Sequence, residues 1–290
     1  MHIAKLDQEL RQNPRLRAAG GVGLLLVVGA LFNLLNISMV QAATAAIAVP
    51  VIHSPIPATD PFSPLWDQAT AADIPLSAQQ MYQPGGGGSV QAVRVKAIQD
   101  GQRIAFLLSW ADATRNDYVA DMPSDAAAIQ LPIDPHHLPY QCMGQTDSRV
   151  NIWQWKAALE QVARQSSQPY NGTRNLTSNG ICKAVETDGV PPTATGTWKD
   201  GRWYVVYARD LAPAAEGTAP LEPGDNTNAA FAIWDGGKGE TRGMKSVSTW
   251  IPLTLTLETG DTGATTLLAL AISGLAAVGA IALAWRIIPH

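Results

Sequence analysis

Two stretches without a charged side chain bracket this chain. One runs from Ala18 to about Ile47 around the apolar centre GVGLLLVVGALFNLL, and the other from Thr265 to Trp285 as TTLLALAISGLAAVGAIALAW. A helix needs about 20 apolar residues to cross a hydrocarbon core, and each run is long enough. A buried helix in a large soluble core is the alternative, which a terminal run that is apolar all round suits poorly. Lys5, Arg11, Arg15 and Arg17 precede the first run and Arg286 follows the second. By the positive-inside rule both ends face the cytoplasm and the middle lies on the periplasmic or extracellular side of the cell membrane. The expected order is a tail (1–17), a retained anchor (18–47), an exported region, a second transmembrane helix (265–285) and a short tail (286–290). For the first run a secretory signal cleaved near VQAATA is the alternative.

The exported region carries both cysteines, Cys142 and Cys182. That compartment permits a disulfide, which is the reading adopted; two separate buried thiols are the alternative. With a net charge of −4 and no basic run after Arg17, nucleic acid is excluded as a partner.

Residues 48–88 are rich in Pro, Ala and Ser, and PVIHSPIPATDPFSPLW reads as an extended arm between membrane and domain. Gly85 to Gly88 form a flexible turn lacking the Gly-Lys-Ser/Thr ending of a phosphate loop. Beyond it the pattern is that of strands. SVQAVRVKAI and RIAFLLSW flank Asp100-Gly101, and ATGTWK and RWYVVYAR flank Asp200-Gly201, both expected as type I′ hairpins. AAAIQLPI, RVNIWQW, AAFAIW and SVSTWIPLTLTLE supply more strands, and KAALEQVAR predicts one helix over Lys156–Arg164. Without internal repeats or βαβ alternation, the expected fold is mainly β: a β-sandwich over 89–258 with long loops. Trp110, Trp153, Trp155, Trp198, Trp203, Trp234 and Trp250 fall in or beside these strands. They pack a sandwich core, or several of them line a flat cofactor or a sugar.

Catalytic patterns are weak. His136 and His137 are adjacent in DPHHLPY and His53 lies in the arm, but HExxH, GxSxG and CxxCH are absent. Asp112, Asp117, Asp121 and Asp125 follow the strand ending in SW without the spacing of an EF-hand, and read as solvated loop carboxylates rather than a calcium site.

Five segments occur in a recognisable order: VRVKAIQDGQRIAFLLSWADAT, DAAAIQLP, YQCMGQTDSRVNIWQWKA, GTWKDGRWYVVYARDL and AAFAIWDGGKGETRGMKSVSTWIPL. Together, over about Val90 to Leu257, they resemble the heme b-binding gamma subunits of the ethylbenzene dehydrogenase and dimethylsulfide dehydrogenase type. The resemblance implies a β-sandwich related to carbohydrate-binding modules, with one non-covalent heme b held between a methionine and a lysine. It implies as partners the other subunits of a redox complex, with electrons arriving from an iron–sulfur subunit beside a molybdenum-containing one. Carried onto this chain, the methionine before VNIWQWK is Met143, and the lysine of the Lys-Ser-x-Ser-x-Trp stretch is Lys245, with Met244 the lesser candidate. A thioether favours ferrous iron. A lysine binds iron only as the neutral amine, which apolar surroundings promote. The apolar end runs depart from the exported, soluble members, so a membrane respiratory complex with cytochrome partners is equally compatible. The expected function is electron transfer at the outer membrane face, with no substrate chemistry in this chain. The alternatives are a heme-free glycan- or ligand-binding sandwich and a scaffold subunit of a membrane complex.

Overall fold

The computed structural model describes residues 45–257, apart from 82, 84, 119–122, 140–142, 167–171, 189–190 and 212–214. Both apolar end runs, the two tails and Cys142 lie outside the described residues. Among the described residues no helix is long and apolar enough to cross a membrane.

The strands are β1 (Ile47–Val49), β2 (Ala72–Pro75), β3 (Ser77–Ala78), β4 (Ala92–Gln99), β5 (Arg103–Ala111), β6 (Ala126–Pro132), β7 (Val150–Lys156), β8 (Thr173–Ser178), β9 (Val185–Glu186), β10 (Thr193–Lys199), β11 (Arg202–Asp210), β12 (Asn226–Trp234), β13 (Ser246–Val247) and β14 (Ile251–Leu255). One helix, α1 (Ala157–Gln165), follows β7, one residue along from its expected span. The strands form two sheets. One runs β10-β11-β5-β4-β2, and the larger runs β1-β14-β12-β6-β7-β8-β9, with β13 added beside β12 and β3 beside β13. The fold is the mainly β sandwich that the strand pattern implies.

Period-two alternation builds the layer between the sheets. Val93 and Val95 of β4, Phe106 and Leu108 of β5, Ile129 of β6, Trp153 and Trp155 of β7 and Phe231 of β12 all enter one core, while Arg94 of β4 points outward to Asp73. Trp110 stacks on Trp203 with centroids 6.4 Å apart, and Trp155 meets Trp203 edge-on at 5.0 Å, a favoured geometry for aromatic pairs. The Trp155 indole donates to Glu160 of α1 at 2.6 Å, and Arg164 of the same helix pairs with that carboxylate. Most of the tryptophans are therefore core.

Where the sequence suggests an extended arm, the structure has part of the sandwich. β1 pairs in parallel with β14, β2 pairs with β4, and Trp66 is buried in a short 3₁₀ turn, Pro64–Gln68. Ile52, Ile56, Trp66 and Ala69 pack on Ile98, Ala105, Leu107 and Val206, covering the outer face of the smaller sheet. That explains why RIAFLLSW loses its alternation: β5 is buried on both sides. Low periodicity made the segment look unpacked, yet its apolar residues pack singly between prolines.

The two hairpins differ. Asp200 and Gly201 both take positive φ (51° and 72°), as a type I′ turn requires. At the other, Gly101 alone is positive (82°), and the Asp100 carboxylate accepts the N–H groups of Gln102 and Arg103 at 3.0 and 2.7 Å. That is a type II′ pattern, with glycine at the first central position.

Candidate functional site

Part of the outer face of the larger sheet is also apolar, although nothing in the inter-sheet core requires it to be. The residues of β6, β7, β8 and β12 that point away from that core include Ala126, Ala128, Ile152, Leu176 and Trp234. They form a third buried cluster with Val150, against which Met143, Ala184, Ala232 and Trp250 pack. Register sets Ala232 beside Ala128 and Trp234 beside Ala126. Three alanines on adjoining strands make a flat floor, and the larger side chains rise around it. Lys156, paired with Ala126 at the edge of this face, has its pKa lowered by burial and then by Arg174.

Met143 arrives on the loop between β6 and β7. Its φ is +61°, and Gly144 follows at +82°, so the chain reverses sharply at the sulfur-bearing residue. A non-glycine residue in this region is uncommon and needs support from its surroundings. Support comes from Gly180, whose N–H donates to the Met143 carbonyl at 3.0 Å, and from Gly144, where a Cβ would stand 2.6 Å from the Ser178 carbonyl oxygen.

Lys245 reaches the same face from the loop after β12. Its Nζ lies 4.9 Å from the centroid of the Trp234 ring, and the side chain is half-buried. The Trp234 indole donates to the Arg242 carbonyl at 3.1 Å, which folds the loop back over the strand. The Lys245 backbone is clamped: its N–H donates to Gly86 at 3.1 Å, and its carbonyl accepts from Gln79 at 3.0 Å. A Cβ on Gly87 (φ +84°) would overlap that backbone, standing 2.8 Å from the Lys245 Cα. The glycine run expected as a flexible turn is thus a fitted wall beneath Lys245, and it has to be glycine to approach so closely.

Met143 packs against the apolar cluster, and Lys245 meets that cluster through the Trp234 ring. Met244 instead lines a polar surface cleft with Gly87, Gly88, Ser89, Lys238 and Glu240. His136 and His137 are exposed in the turn begun by Asp134, whose carboxylate accepts the His136 N–H at 2.9 Å, and His53 is exposed as well. Cys182 is exposed on the turn after β8, and its proposed partner Cys142 lies outside the described residues. Among the described residues no tryptophan is exposed. Trp250 is half-buried, and its indole donates to the Pro139 carbonyl at 2.8 Å. An aromatic platform for a sugar would have to present an open ring face, so this observation weighs against the glycan alternative.

Sequence reasoning missed the alanine floor, the Gly86–Gly87 clamp and Gln79. The floor had a signal: alanine recurs at alternate positions in Ala126 and Ala128, where a half-exposed strand would carry polar groups.

The chemistry of this pair fits a planar, iron-bearing group. One soft thioether and one amine stand beside the three-alanine floor, and Gln130 and Gln154 share that face of β6 and β7.

A family model described as ethylbenzene dehydrogenase matches residues 63–195 and 191–246. A protein of Haloferax mediterranei named as a respiratory nitrate reductase heme subunit is 33% identical over 66% of this chain and 66% of its own length. The chlorate reductase subunit gamma of Ideonella dechloratans is 28% identical, covering 66% and 77% of the two chains. The dimethylsulfide dehydrogenase subunit gamma of Rhodovulum sulfidophilum is 27% identical, covering 56% and 59%. The chain thus spans about two thirds of the length of the curated relatives it matches. Among solved structures, a family 9 carbohydrate-binding module of Caldicellulosiruptor kristjanssonii in complex with glucose is similar at 12% identity and a TM-score of 0.45, over 74% of this chain and 98% of that one.

Proposed function

This chain belongs to the ethylbenzene dehydrogenase family, and on that premise we infer that it is the heme b electron-transfer subunit of a multisubunit respiratory oxidoreductase. The observation that carries the reading is that Met143 packs against the apolar cluster containing Trp234, whose ring centroid lies 4.9 Å from the Lys245 Nζ. Met143 and Lys245 are the residues that would hold the heme iron. Heme b, when bound, supplies reversible one-electron chemistry at its iron. The chain's part is to hold the two ligand side chains in place, keep water from the face and leave substrate chemistry to other subunits. The Met143 thioether, a soft donor, would favour ferrous iron. Ligation by Lys245 would require its neutral amine, and the iron itself would favour that form. The names of the relatives, which include a heme subunit and two gamma subunits, support a partner-dependent role.

Full-length protein produced with ample heme is expected to show reversible low-spin b-type bands. Pyridine should extract the heme, and isolated protein should turn over no small organic substrate. A preparation without a Soret band rejects the function.

From the two apolar end runs we infer that this subunit is anchored at a membrane, with the sandwich on the outer side. Protease added to spheroplasts should therefore digest the region from Ala48 to Glu258 and spare both ends. A mature N-terminus near Ala43 would instead identify the first run as a signal.

A further inference from the structure

Three carboxylates that the sequence scatters widely meet at one end of the sandwich. Asp112 follows β5, Asp125 precedes β6 and Asp235 follows β12. Their relative exposures are 4%, 0% and 8%, and one oxygen from each lies within 4.8 Å of the others. The expectation of solvated loop carboxylates therefore fails for Asp112 and Asp125. Of the other two, Asp117 pairs with Arg115, and Asp121 lies outside the described residues. Among the described residues no lysine, arginine or histidine forms an ion pair with any of the triad.

Hydrogen bonds satisfy part of this charge. Asp125 accepts the N–H groups of Asn116 at 2.7 Å and Gly236 at 2.8 Å and the Trp203 indole at 2.9 Å. Asp235 accepts the Lys238 N–H at 3.1 Å, and Asp112 Oδ1 accepts that of Thr114 at 3.0 Å. Asp112 Oδ2 is buried with no hydrogen-bond partner among the described residues. Burial, the largest influence, raises the pKa of Asp112, with Asp235 adding to it; burial also pushes Asp125 up to about 6. Buried charge normally has a counter-charge or a metal.

Neutral oxygens complete the surroundings. Thr114 Oγ1 and Asn116 Oδ1 are 2.8 Å apart. Both crowd Gly237, where a Cβ would stand 2.5 Å from the first, 3.0 Å from the second and 3.2 Å from Asp235 Oδ1. Asp112, Thr114 and Asn116 thus offer side-chain oxygens at alternate positions, the rhythm in which calcium loops present their first ligands.

We propose that Asp112, Asp125 and Asp235, with Thr114 and Asn116, form a calcium site that fastens the loop carrying Lys245 to both sheets. An all-oxygen donor set selects a hard cation. Calcium is favoured over magnesium because the candidate ligands are protein oxygens, several presented at alternate positions of one loop, whereas magnesium keeps several of its waters. The cation ties the exit of β5, in the smaller sheet, to β6 and β12 in the larger. It does so next to Trp234, the ring whose centroid lies 4.9 Å from the Lys245 Nζ. This assignment does not depend on heme.

The test is calcium itself, added to the full chain after treatment with EGTA. One calcium per chain should bind in isothermal titration. At a concentration about a hundredfold above Kd it should raise Tm by roughly 5–10 °C, with magnesium failing to substitute. Asp112→Asn, which keeps the side chain's size, should abolish both effects, and Asp235→Asn serves the same purpose should the first variant misfold. Absence of stoichiometric calcium, together with a Tm indifferent to EGTA, overturns the site. Equal rescue by magnesium overturns the calcium assignment.

Discussion

Lys245→Ala is expected to convert the low-spin heme spectrum to a high-spin one or to empty the protein of heme. Affinity should fall by more than the roughly 10–100-fold typical of losing a residue that only hydrogen-bonds a metal ligand, because a metal–ligand bond is removed. The structure makes the position hard to replace. The Lys245 backbone is held on two sides by Gln79 and Gly86, and Gly87 leaves no room for the loop to shift inward. A neighbouring side chain therefore cannot slide into its place. Lys238→Ala, a few residues earlier in the polar cleft, should leave the spectrum unchanged. The informative rival is the His136→Ala, His137→Ala double mutant, since imidazole is the commoner ligand for heme iron. Both histidines are exposed on their turn, so the double mutant should keep its low-spin bands. A high-spin spectrum in the histidine mutant alone would defeat the lysine assignment and leave the heme reading standing. Met143→Ala should lower the midpoint potential or open a high-spin site, because the soft sulfur that favours ferrous iron is gone.

Local signals made much of the fold legible. Alternation at β4, the Asp200-Gly201 turn and the helical formers of α1 each reflect physics within ten residues, and each predicted its element. The parts that escaped depend on distant surfaces. The segment from Ile47 to Gly88 has too few apolar residues in any periodic order to signal packing, and only the doubly buried β5 gives it something to cover. Asp112 and Asp125 looked solvated because the third carboxylate lies more than a hundred residues away, and chain spacing carries no trace of that meeting. Met143 and Lys245 came from the ordered segments of the family resemblance. Neither residue would have stood out alone: a loop methionine and a lysine are ordinary, and the flat alanine face that gives them meaning is assembled from separate strands.

The second large effect is expected at the cysteines. Non-reducing peptide mapping should recover Cys142 linked to Cys182, and either Cys142→Ser or Cys182→Ser should destabilise the protein by about 4 kcal/mol, the chain-entropy value for a loop of this size. The geometry that motivates the pair is the Gly180 N–H to Met143 carbonyl bond of 3.0 Å, since Cys142 directly precedes Met143 and Cys182 lies two residues beyond Gly180. Met143 and Cys182 both hold positive φ, at 61° and 60°, a conformation costing roughly 1–3 kcal/mol where it is not enforced. A covalent tie across that hydrogen bond would enforce it and fix the thioether at the apolar face. For a domain of this size, such a loss corresponds to a fall in Tm of about 8–16 °C. The double mutant should melt no lower than either single one, because both remove the same bond. Heme binding provides the independent readout: if the bridge positions Met143, the single mutants should also shift the spectrum toward high spin, whereas a merely stabilising bridge would leave it unchanged. Two alkylatable thiols in unreduced, denatured protein would remove the bridge, and hydrogen bonding from Gly180 would then be the tie that holds Met143 in place.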